Sequence, residues 1–485
     1  MLLLSVYSRI DFFNKAPRQI CVMAMTQKKE AIEIKPSNDV APVSRDNDEQ
    51  NSNKNEIHLP FLTASSRENN VDKECDKNYA KDNGMKWVTI TASPIMTAIK
   101  PILRILKAFG LYYSILDQTN TSDPYHNKHS ASTYRLINCP LERKQINNIV
   151  FIFQRIYAMI ICILLWFNAV RLWPSLSNYT NTSSMTLMVM CGLWNLHIAG
   201  NASFYFYMCH HKMVKFFKQI SCKHVNEHPG FLDSVGRYAR RRCIIYLIPA
   251  TIFASLNIAF PIFVHLSSFN DLKSVMSIIA SPWENSTIFL YFYISSIHFY
   301  CTAAWIYPTV LFCLCCLIMA EKFRNLTRCF RTAVQMGNSS INRAIITYRQ
   351  QHEDYCTTTE LLSDTFSLFV AHLYLTNLAH ACFNTYRLIF NWNDNGFWMN
   401  MVLTMWLAIT TGNTIIVSGA ASILNTEAHS SNSILYSLQV ANVNNDGLAE
   451  LSLFQSRLLG GPIGISVGGF FVITKPLILT VILVS

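Results

Sequence analysis

The sequence predicts an all-α membrane protein with seven transmembrane helices, a cytoplasmic N-terminus and an extracellular C-terminus. Of the 485 residues, 51% are hydrophobic and only 14% are charged, whereas soluble domains carry about 25% charged residues. The apolar residues cluster in stretches of about 20 or more residues, the length of helix that crosses a bilayer. Most charges fall in the first 145 residues and in two later blocks, and this distribution indicates the orientation.

The chain begins with a predicted cytoplasmic tail, residues 1–93, whose polar and aromatic-poor composition predicts disorder. Residues 94–146 are expected to hold an amphipathic helix and a polar link. The stretch PIMTAIKPILRILKAFG places apolar residues at helical spacing, with Lys100, Arg104 and Lys107 among them. This pattern predicts a basic helix that either lies on the membrane surface or packs under the bundle.

Residues 147–423 are expected to form transmembrane helices 1 to 6, which make up a ligand-binding bundle. Residues 424–460 follow as a cytoplasmic helical anchor, with leucines and Phe454 at helical intervals. The anchor either joins subunits or folds back on its own bundle. Residues 461–485 are expected to form transmembrane helix 7. The predicted spans are about 148–173, 184–208, 243–267, 287–320, 362–390, 397–422 and 462–485.

The orientation follows from the links between spans, because Lys and Arg are retained on the cytoplasmic side. The link between the second and third spans and the link between the fourth and fifth spans together contain fourteen basic residues. The three opposite links contain one, Lys273. The net charge of +11 therefore indicates a membrane surface rather than nucleic acid. Candidate glycosylation sequons at Asn178, Asn181 and Asn285 fall in predicted outer links.

The stretch ELSLFQSRLLGGPIGISVGGFFVITKPLILTVI resembles the end of arthropod gustatory receptors, a family of insect-type seven-transmembrane chemoreceptor ion channels. Residues 468–471 look like the Gly-Phe-Phe motif that leads into the family's last span, and the residues that follow are similar too. KPILRILKAFGLYYS is similar to the segment before the family's first span, with Gly110 at the expected place. The layout of spans also matches the family's plan.

The resemblance implies a non-selective cation channel that an extracellular tastant opens. It implies a homo- or hetero-tetramer with other gustatory receptor subunits, with the last span at its centre, in the plasma membrane of a chemosensory neuron. The family's signature, Thr-Tyr, an apolar run and then Gln-Phe, would begin about where the chain ends at Ser485. We therefore expect the chain to be truncated before this signature and its pore helix to be incomplete.

Candidate pore residues lie in the predicted last span. Lys475 either faces a water-filled vestibule or extends to the membrane surface near one end of the helix. Thr474 and Thr480 either line the same face or bond their own backbone.

A candidate ligand pocket is expected from aromatic and polar residues in the outer halves of the spans. Small-molecule sites are mostly apolar, with a few placed polar groups. The same residues are also typical of bundle packing and of interfacial aromatic belts. The candidates are Trp194, Asn257, Phe260, Tyr293, His298, Asn377, His380 and Trp398.

Enzyme signatures are not found in the sequence, which has no P-loop, no HExxH and no GxSxG with partners. We expect neither a metal nor a cofactor. The cysteines at 313, 315 and 316 are either small core residues or acylation sites. Two alternative functions are a G-protein-coupled receptor, which the charge distribution disfavours, and a transporter, for which no internal repeat is visible. The pattern does not identify the tastant.

Overall fold

The fold is described from a computed structural model of the chain, which covers residues 93–113, 140–174, 182–210, 212–221, 230–266, 296–335, 341–393, 395–438 and 443–477. The described residues form ten helices and one two-stranded hairpin. The helices are α1 (Pro94–Ala108), α2 (Pro140–Val170), α3 (Thr182–His210), α4 (Lys212–Ser221), α5 (Phe231–Leu266), α6 (His298–Gln335), α7 (Ile341–Phe390), α8 (Phe397–Ala428), α9 (Asn432–Ser437) and α10 (Asn445–Leu459). The strands are β1 (Ser466–Val467) and β2 (Phe471–Val472).

Five of the described helices, α2, α5, α6, α7 and α8, are long and apolar enough to cross a membrane. They correspond to the first, third, fourth, fifth and sixth predicted spans, so the all-α membrane fold is confirmed. The second predicted span is the helix α3, an apolar helix that also contains Asn195, His197 and Asn201. All three are buried in the bundle. The count of seven spans and the sides of the two termini stay predictions.

The predicted seventh span differs from the structure at its start. Residues 466–472 form an antiparallel hairpin, in which Ser466 pairs with Val472 and Val467 with Phe471. Gly468 and Gly469 turn the chain at φ values of +60° and +83°, a conformation that glycine adopts without steric cost. Helical structure begins only at Lys475, and residues 478–485, which include Thr480, lie outside the described part of the chain.

Helix α6 forms the centre of the bundle. Within its most apolar 18-residue window, 94% of the residues are buried, compared with 17% for α2 and 11% for α5. The outward faces of α2 and α5 are apolar and exposed, as expected for helices that face lipid. Cys313, Cys315 and Cys316 on α6 are at most 1% exposed. They are therefore core residues, which excludes the acylation alternative for these thiols in this fold.

Helix α1 packs against the bundle through its apolar face. Its apolar face is buried against α5 and α6. The Phe109 ring that ends it lies 4.7 Å from Phe299, and the Tyr157 hydroxyl of α2 donates a hydrogen bond of 2.8 Å to the Ala108 carbonyl. Gly110, at φ +67°, turns the chain next to Ile161.

The predicted anchor, residues 424–460, folds back on its own bundle. Phe454 of α10 packs on Phe330 and on His352, at ring distances of 6.1 and 5.0 Å. Arg457 pairs with Glu353 and Glu360 of α7, at 3.2 and 2.6 Å. These contacts join the end of α8, α9 and α10 to the C-terminal end of α6 and the N-terminal half of α7. An additional role between subunits stays a prediction.

A close approach of α3 and α7 depends on Gly200. A Cβ at this position would overlap the imidazole ring of His372, whereas a Cβ at Gly192 on the same helix would meet no atom within 4 Å. We expect Gly200→Ala to lower stability by about 1–3 kcal/mol through overpacking, and Gly192→Ala to leave it unchanged or slightly higher. Thermal unfolding of the two purified variants measures this difference. Equal melting temperatures would contradict the described packing of α3 on α7.

Candidate functional site

A cavity of about 50 Å³ lies between α3, α5, α6, α7 and α8. Its wall consists mainly of aromatic rings, with a few polar side chains between them. The lining residues are Cys191, Trp194, Asn257, Phe260, Pro261, His298, Trp305, His380, Trp406 and Thr410.

The polar wall of the cavity is held by hydrogen bonds between α5 and α6. The Asn257 side-chain amide donates to the Thr302 hydroxyl at 2.7 Å. The His298 Nε2–H donates to the Asn257 carbonyl at 3.0 Å, which breaks no helix hydrogen bond because a carbonyl has a second lone pair. Asn257 and His298 are therefore fixed in place before any ligand arrives.

Aromatic contacts shape the opposite side. The Trp194 ring lies 5.8 Å from His298 and 6.2 Å from Trp305, and the latter pair is close to perpendicular. Trp305 also packs edge-on against Phe253 at 5.6 Å. Edge-to-face packing of this kind favours defined rotamers of large side chains, so the aromatic wall is ordered in the free cavity.

The predicted pocket residues differ in where the structure places them. Five of the eight line this one cavity: Trp194, Asn257, Phe260, His298 and His380. Asn377 lies about one turn from His380 on α7 and donates to the Thr414 hydroxyl at 3.2 Å, outside the lining. Trp398 is 40% exposed at the start of α8, beside Phe397. Tyr293 and the sequons at Asn178, Asn181 and Asn285 lie outside the described residues. Whether the cavity binds a ligand stays a prediction.

Five lining residues were missed from the sequence: Cys191, Pro261, Trp305, Trp406 and Thr410. Trp305 lies seven residues after His298, which is two helical turns and hence the same face of α6. Trp406 and Thr410 are four residues apart on α8 and share a face for the same reason. The sequence reveals which residues share one face of a helix. It does not reveal which face each helix turns toward its neighbours.

A groove on the outside of the bundle adjoins the cavity. It has a volume of about 340 Å³ and runs between α5 and α8. Asn257, Phe260, Trp305 and Trp406 contribute to both walls. The groove and the cavity are thus separated by single side chains.

Helix α7 is joined to α3 and α8 by hydrogen bonds just below the cavity. His372 Nε2–H donates to the His197 carbonyl at 3.1 Å, and the His197 ring contacts the Thr376 hydroxyl. The Tyr374 and Ser418 hydroxyls bond each other across to α8. Buried polar groups at membrane depth are costly unless they are paired, so these pairs fix the register of the three helices.

The middle of α7 contacts the hairpin. The Gly468 amide donates to the Ser367 carbonyl at 3.1 Å, and the Ser466 amide donates to the Ser363 hydroxyl at 3.0 Å. His380 and Ser363 are seventeen residues apart on one helix, a rise of about 25 Å. One continuous helix therefore connects the cavity to the hairpin. Beyond the hairpin, Thr474 is half-buried and Lys475 is exposed.

Known proteins resemble the chain in sequence and in fold. A family model described as trehalose receptor, within the insect gustatory receptors, matches residues 267–483. The fold is similar to that of the insect olfactory receptor OR5 from Machilis hrabei and to that of the same receptor in complex with eugenol. Each structure is 14% identical to the chain, with a TM-score of 0.58. The similarity covers 80% of this chain, and 94% and 96% respectively of the two receptor chains.

No curated protein matches the chain at a significant level. The family match confirms the resemblance found at the C-terminal end of the sequence, and the shared fold extends it to the bundle. The chain thus resembles insect-type chemoreceptors in sequence over residues 267–483 and in fold over most of its length.

Proposed function

We propose that the chain is a gustatory-type chemoreceptor subunit, a non-selective cation channel of the plasma membrane of chemosensory neurons, opened by a small extracellular molecule. The observation that carries this proposal is the aromatic cavity near the C-terminal end of α7, a helix whose middle contacts the hairpin that leads to the candidate pore residues. A binding site and a candidate gate element in contact with one helix give a ligand a route by which to bias the gate.

The coupling we propose runs along α7. A ligand larger than the free cavity pushes His380 and Trp406 apart and thereby shifts α7 against α8. The hydrogen bonds at Ser363 and Ser367 carry this movement to the hairpin, which displaces the following segment with Thr474, Lys475 and Thr480. A ligand shifts the equilibrium between the unexpanded and the expanded cavity only to the extent that it binds the expanded cavity more tightly.

The ligand class that the cavity favours is a compact aromatic molecule rather than a disaccharide. The Asn257 amide already donates to Thr302, and the Thr410 hydroxyl donates to the Trp406 carbonyl at 3.0 Å. A sugar would leave many hydroxyls without partners in such a site, and each buried unpaired group costs about 1–3 kcal/mol. We therefore expect eugenol, the ligand of the similar olfactory receptor, to bind more tightly than trehalose, for which the matching family is named.

Assembly into a tetramer is proposed from the face of the anchor that its own bundle leaves uncovered. Tyr436, Leu453 and Leu459 on α9 and α10 are 65%, 57% and 59% exposed. Apolar side chains outside the lipid region are typical of an interface between subunits.

Binding can be tested through the three tryptophans that line the cavity. The 485-residue chain in lipid nanodiscs is titrated with eugenol and with trehalose while the tryptophan fluorescence is recorded. We expect saturable quenching by eugenol, which Trp194→Phe reduces and which Trp398→Phe, a change outside the cavity, leaves unaltered. Cells that co-express the chain with a gustatory receptor subunit whose last span is complete are expected to carry inward cation currents on eugenol application. The absence of both quenching and current with both ligands would contradict the proposal.

The hairpin turn provides a test of coupling. Gly468 has φ +60°, and a Cβ there would lie 3.2 Å from that of Ala371. We expect Gly468→Ala to strain the hairpin by about 1–2 kcal/mol, and so to reduce the eugenol current without changing the fluorescence titration. Gly412→Ala, at a helix position where a Cβ meets no atom within 4 Å, serves as the control. Loss of binding in Gly468→Ala would show that the hairpin is part of the binding site and not of the coupling.

A further inference from the structure

Helices α1 and α4 and the first turns of α5 carry an unusual excess of positive charge. They contain ten basic residues, and Asp233 is the single acidic one. On α1 the side chains of Lys100 and Arg104 are exposed, and on α5 those of Arg240 and Arg241 are exposed. We call these four residues the basic face.

The basic face is brought together by the parallel packing of α1 on α5. Pro94 packs on Gly236, where even one added carbon would overlap it. Farther along both helices, Ile102 of α1 lies beside Cys243 of α5. Ile102 is eight residues after Pro94, and Cys243 is seven residues after Gly236. The two helices therefore run side by side in the same direction, and Lys100 is level with Arg241.

The level of the basic face is set by the elements on either side of it along the helices. Toward the bundle, α1 is followed by Gly110, which contacts Ile161 within the first predicted span. On α5 the arginines are followed directly by the exposed apolar side chains of Ile244, Ile245 and Ile248, which are 51%, 46% and 56% exposed. The charges thus lie where a lipid-facing apolar surface meets the side of the membrane that the basic links predict to be cytoplasmic.

We propose that the basic face binds the head group of an anionic phospholipid of the cytoplasmic leaflet, with its acyl chains along the isoleucines of α5. Arg presents a fork of N–H donors that matches phosphate oxygens, and Lys supplies a point charge. Four exposed cations at one level attract an anionic head group, and the adjoining isoleucines bury acyl chains that a soluble phosphate lacks. The bound lipid clamps α1 to α5, which packs on the wall of the candidate cavity.

Lipid retention tests the proposal directly. The full chain is incorporated into mixed phosphatidylcholine and phosphatidylserine bilayers and extracted in mild detergent, and the lipids that remain bound are measured by mass spectrometry. We expect phosphatidylserine to be enriched. The combined change Lys100→Gln, Arg104→Gln, Arg240→Gln and Arg241→Gln is expected to lower this enrichment at least about tenfold, because each basic residue near an anionic surface adds to the attraction of anionic lipid.

Two control variants separate charge from folding. Lys100→Arg, Arg104→Lys, Arg240→Lys and Arg241→Lys together keep the charge and are expected to keep the enrichment. Arg331→Gln with Arg343→Gln removes two exposed charges elsewhere on the same predicted side, on α6 and α7, and is expected to change it less than about twofold, since charges beyond a Debye length are screened.

Three outcomes would overturn the proposal. The first is unchanged enrichment in the glutamine variant, and the second is equal loss in the Arg331 and Arg343 control. The third is displacement of the lipid by soluble glycerophosphoserine at equal concentration, because this would show that the head group alone is recognised and the isoleucines are not used.

Discussion

Thr410→Phe is expected to abolish eugenol binding and the eugenol-evoked current. Thr410 lies on the cavity wall, and its hydroxyl bonds its own helix at the carbonyls of Trp406 and Leu407. A phenyl ring at this position projects into a cavity of about 50 Å³, which leaves no room for a second ring. We expect the affinity to fall at least about a hundredfold, equivalent to about 2.8 kcal/mol, in the fluorescence titration.

The control for this experiment is Thr410→Val, which keeps the shape of the side chain and removes the hydroxyl. We expect its binding to stay within about threefold of the unaltered chain, since the hydroxyl is already bonded within α8. The melting temperature of both variants is measured without ligand. A folded Thr410→Phe variant that binds eugenol normally would place the ligand outside this cavity.

Phe454→Ala is expected to cause a large loss of stability, about 3–5 kcal/mol, because it removes a buried phenyl ring from the layer below the bundle. Phe454 is 1% exposed and contacts Phe330 and His352. Its loss weakens the packing of α10 on α7, which are still joined by the ion pairs of Arg457 with Glu353 and Glu360 and of Arg349 with Glu450. The free energy of unfolding, or the melting temperature of the purified chain, reports this effect.

Leu453, the neighbouring residue on α10, provides a matched control because it is 57% exposed. Leu453→Ala is expected to change the stability of the single chain by less than about 0.5 kcal/mol. If the anchor joins subunits, as we propose, this variant instead weakens assembly, which light scattering detects. Equal destabilisation by the two variants would contradict the described packing of α10.

The helices were largely predictable because apolar stretches long enough to span a bilayer have few alternatives in lipid. The hairpin at the start of the predicted last span was not predictable in this way. The sequence SVGGFFV is apolar throughout and was assigned to a helix, whereas paired glycines at positive φ make it a hairpin. Gly-Gly between β-branched and aromatic residues is a hairpin signal, but it was outweighed by hydropathy.

The polar residues of helix α3 serve to join it to neighbouring helices of the bundle. Asn195 accepts a hydrogen bond from Asn168 of α2 at 2.5 Å, and Asn201 donates to the Ala304 carbonyl of α6 at 3.3 Å. Each of these two residues thus joins α3 to a neighbour. Sequence periodicity reveals that such residues exist but not which helix supplies the partner.

The candidate site was predictable in part for the same reason. Residues such as Trp194 and His380 were chosen by type and by depth in the membrane, and five of the chosen residues line one cavity. Trp398 was chosen by type too, but it lies at the exposed end of α8. Depth follows from position along a span, whereas the direction of each side chain depends on tertiary contacts that one sequence does not encode locally.

The position of bound eugenol is the measurement that tests the central claim most directly. An electron cryomicroscopy map of the chain in lipid nanodiscs with eugenol is expected to show ligand density between Trp194, Phe260 and Trp406, with Asn257 and His298 at its edge. Density confined to the outer groove beside Leu256 and Phe263, or to the anchor, would contradict the assignment of this cavity as the ligand site.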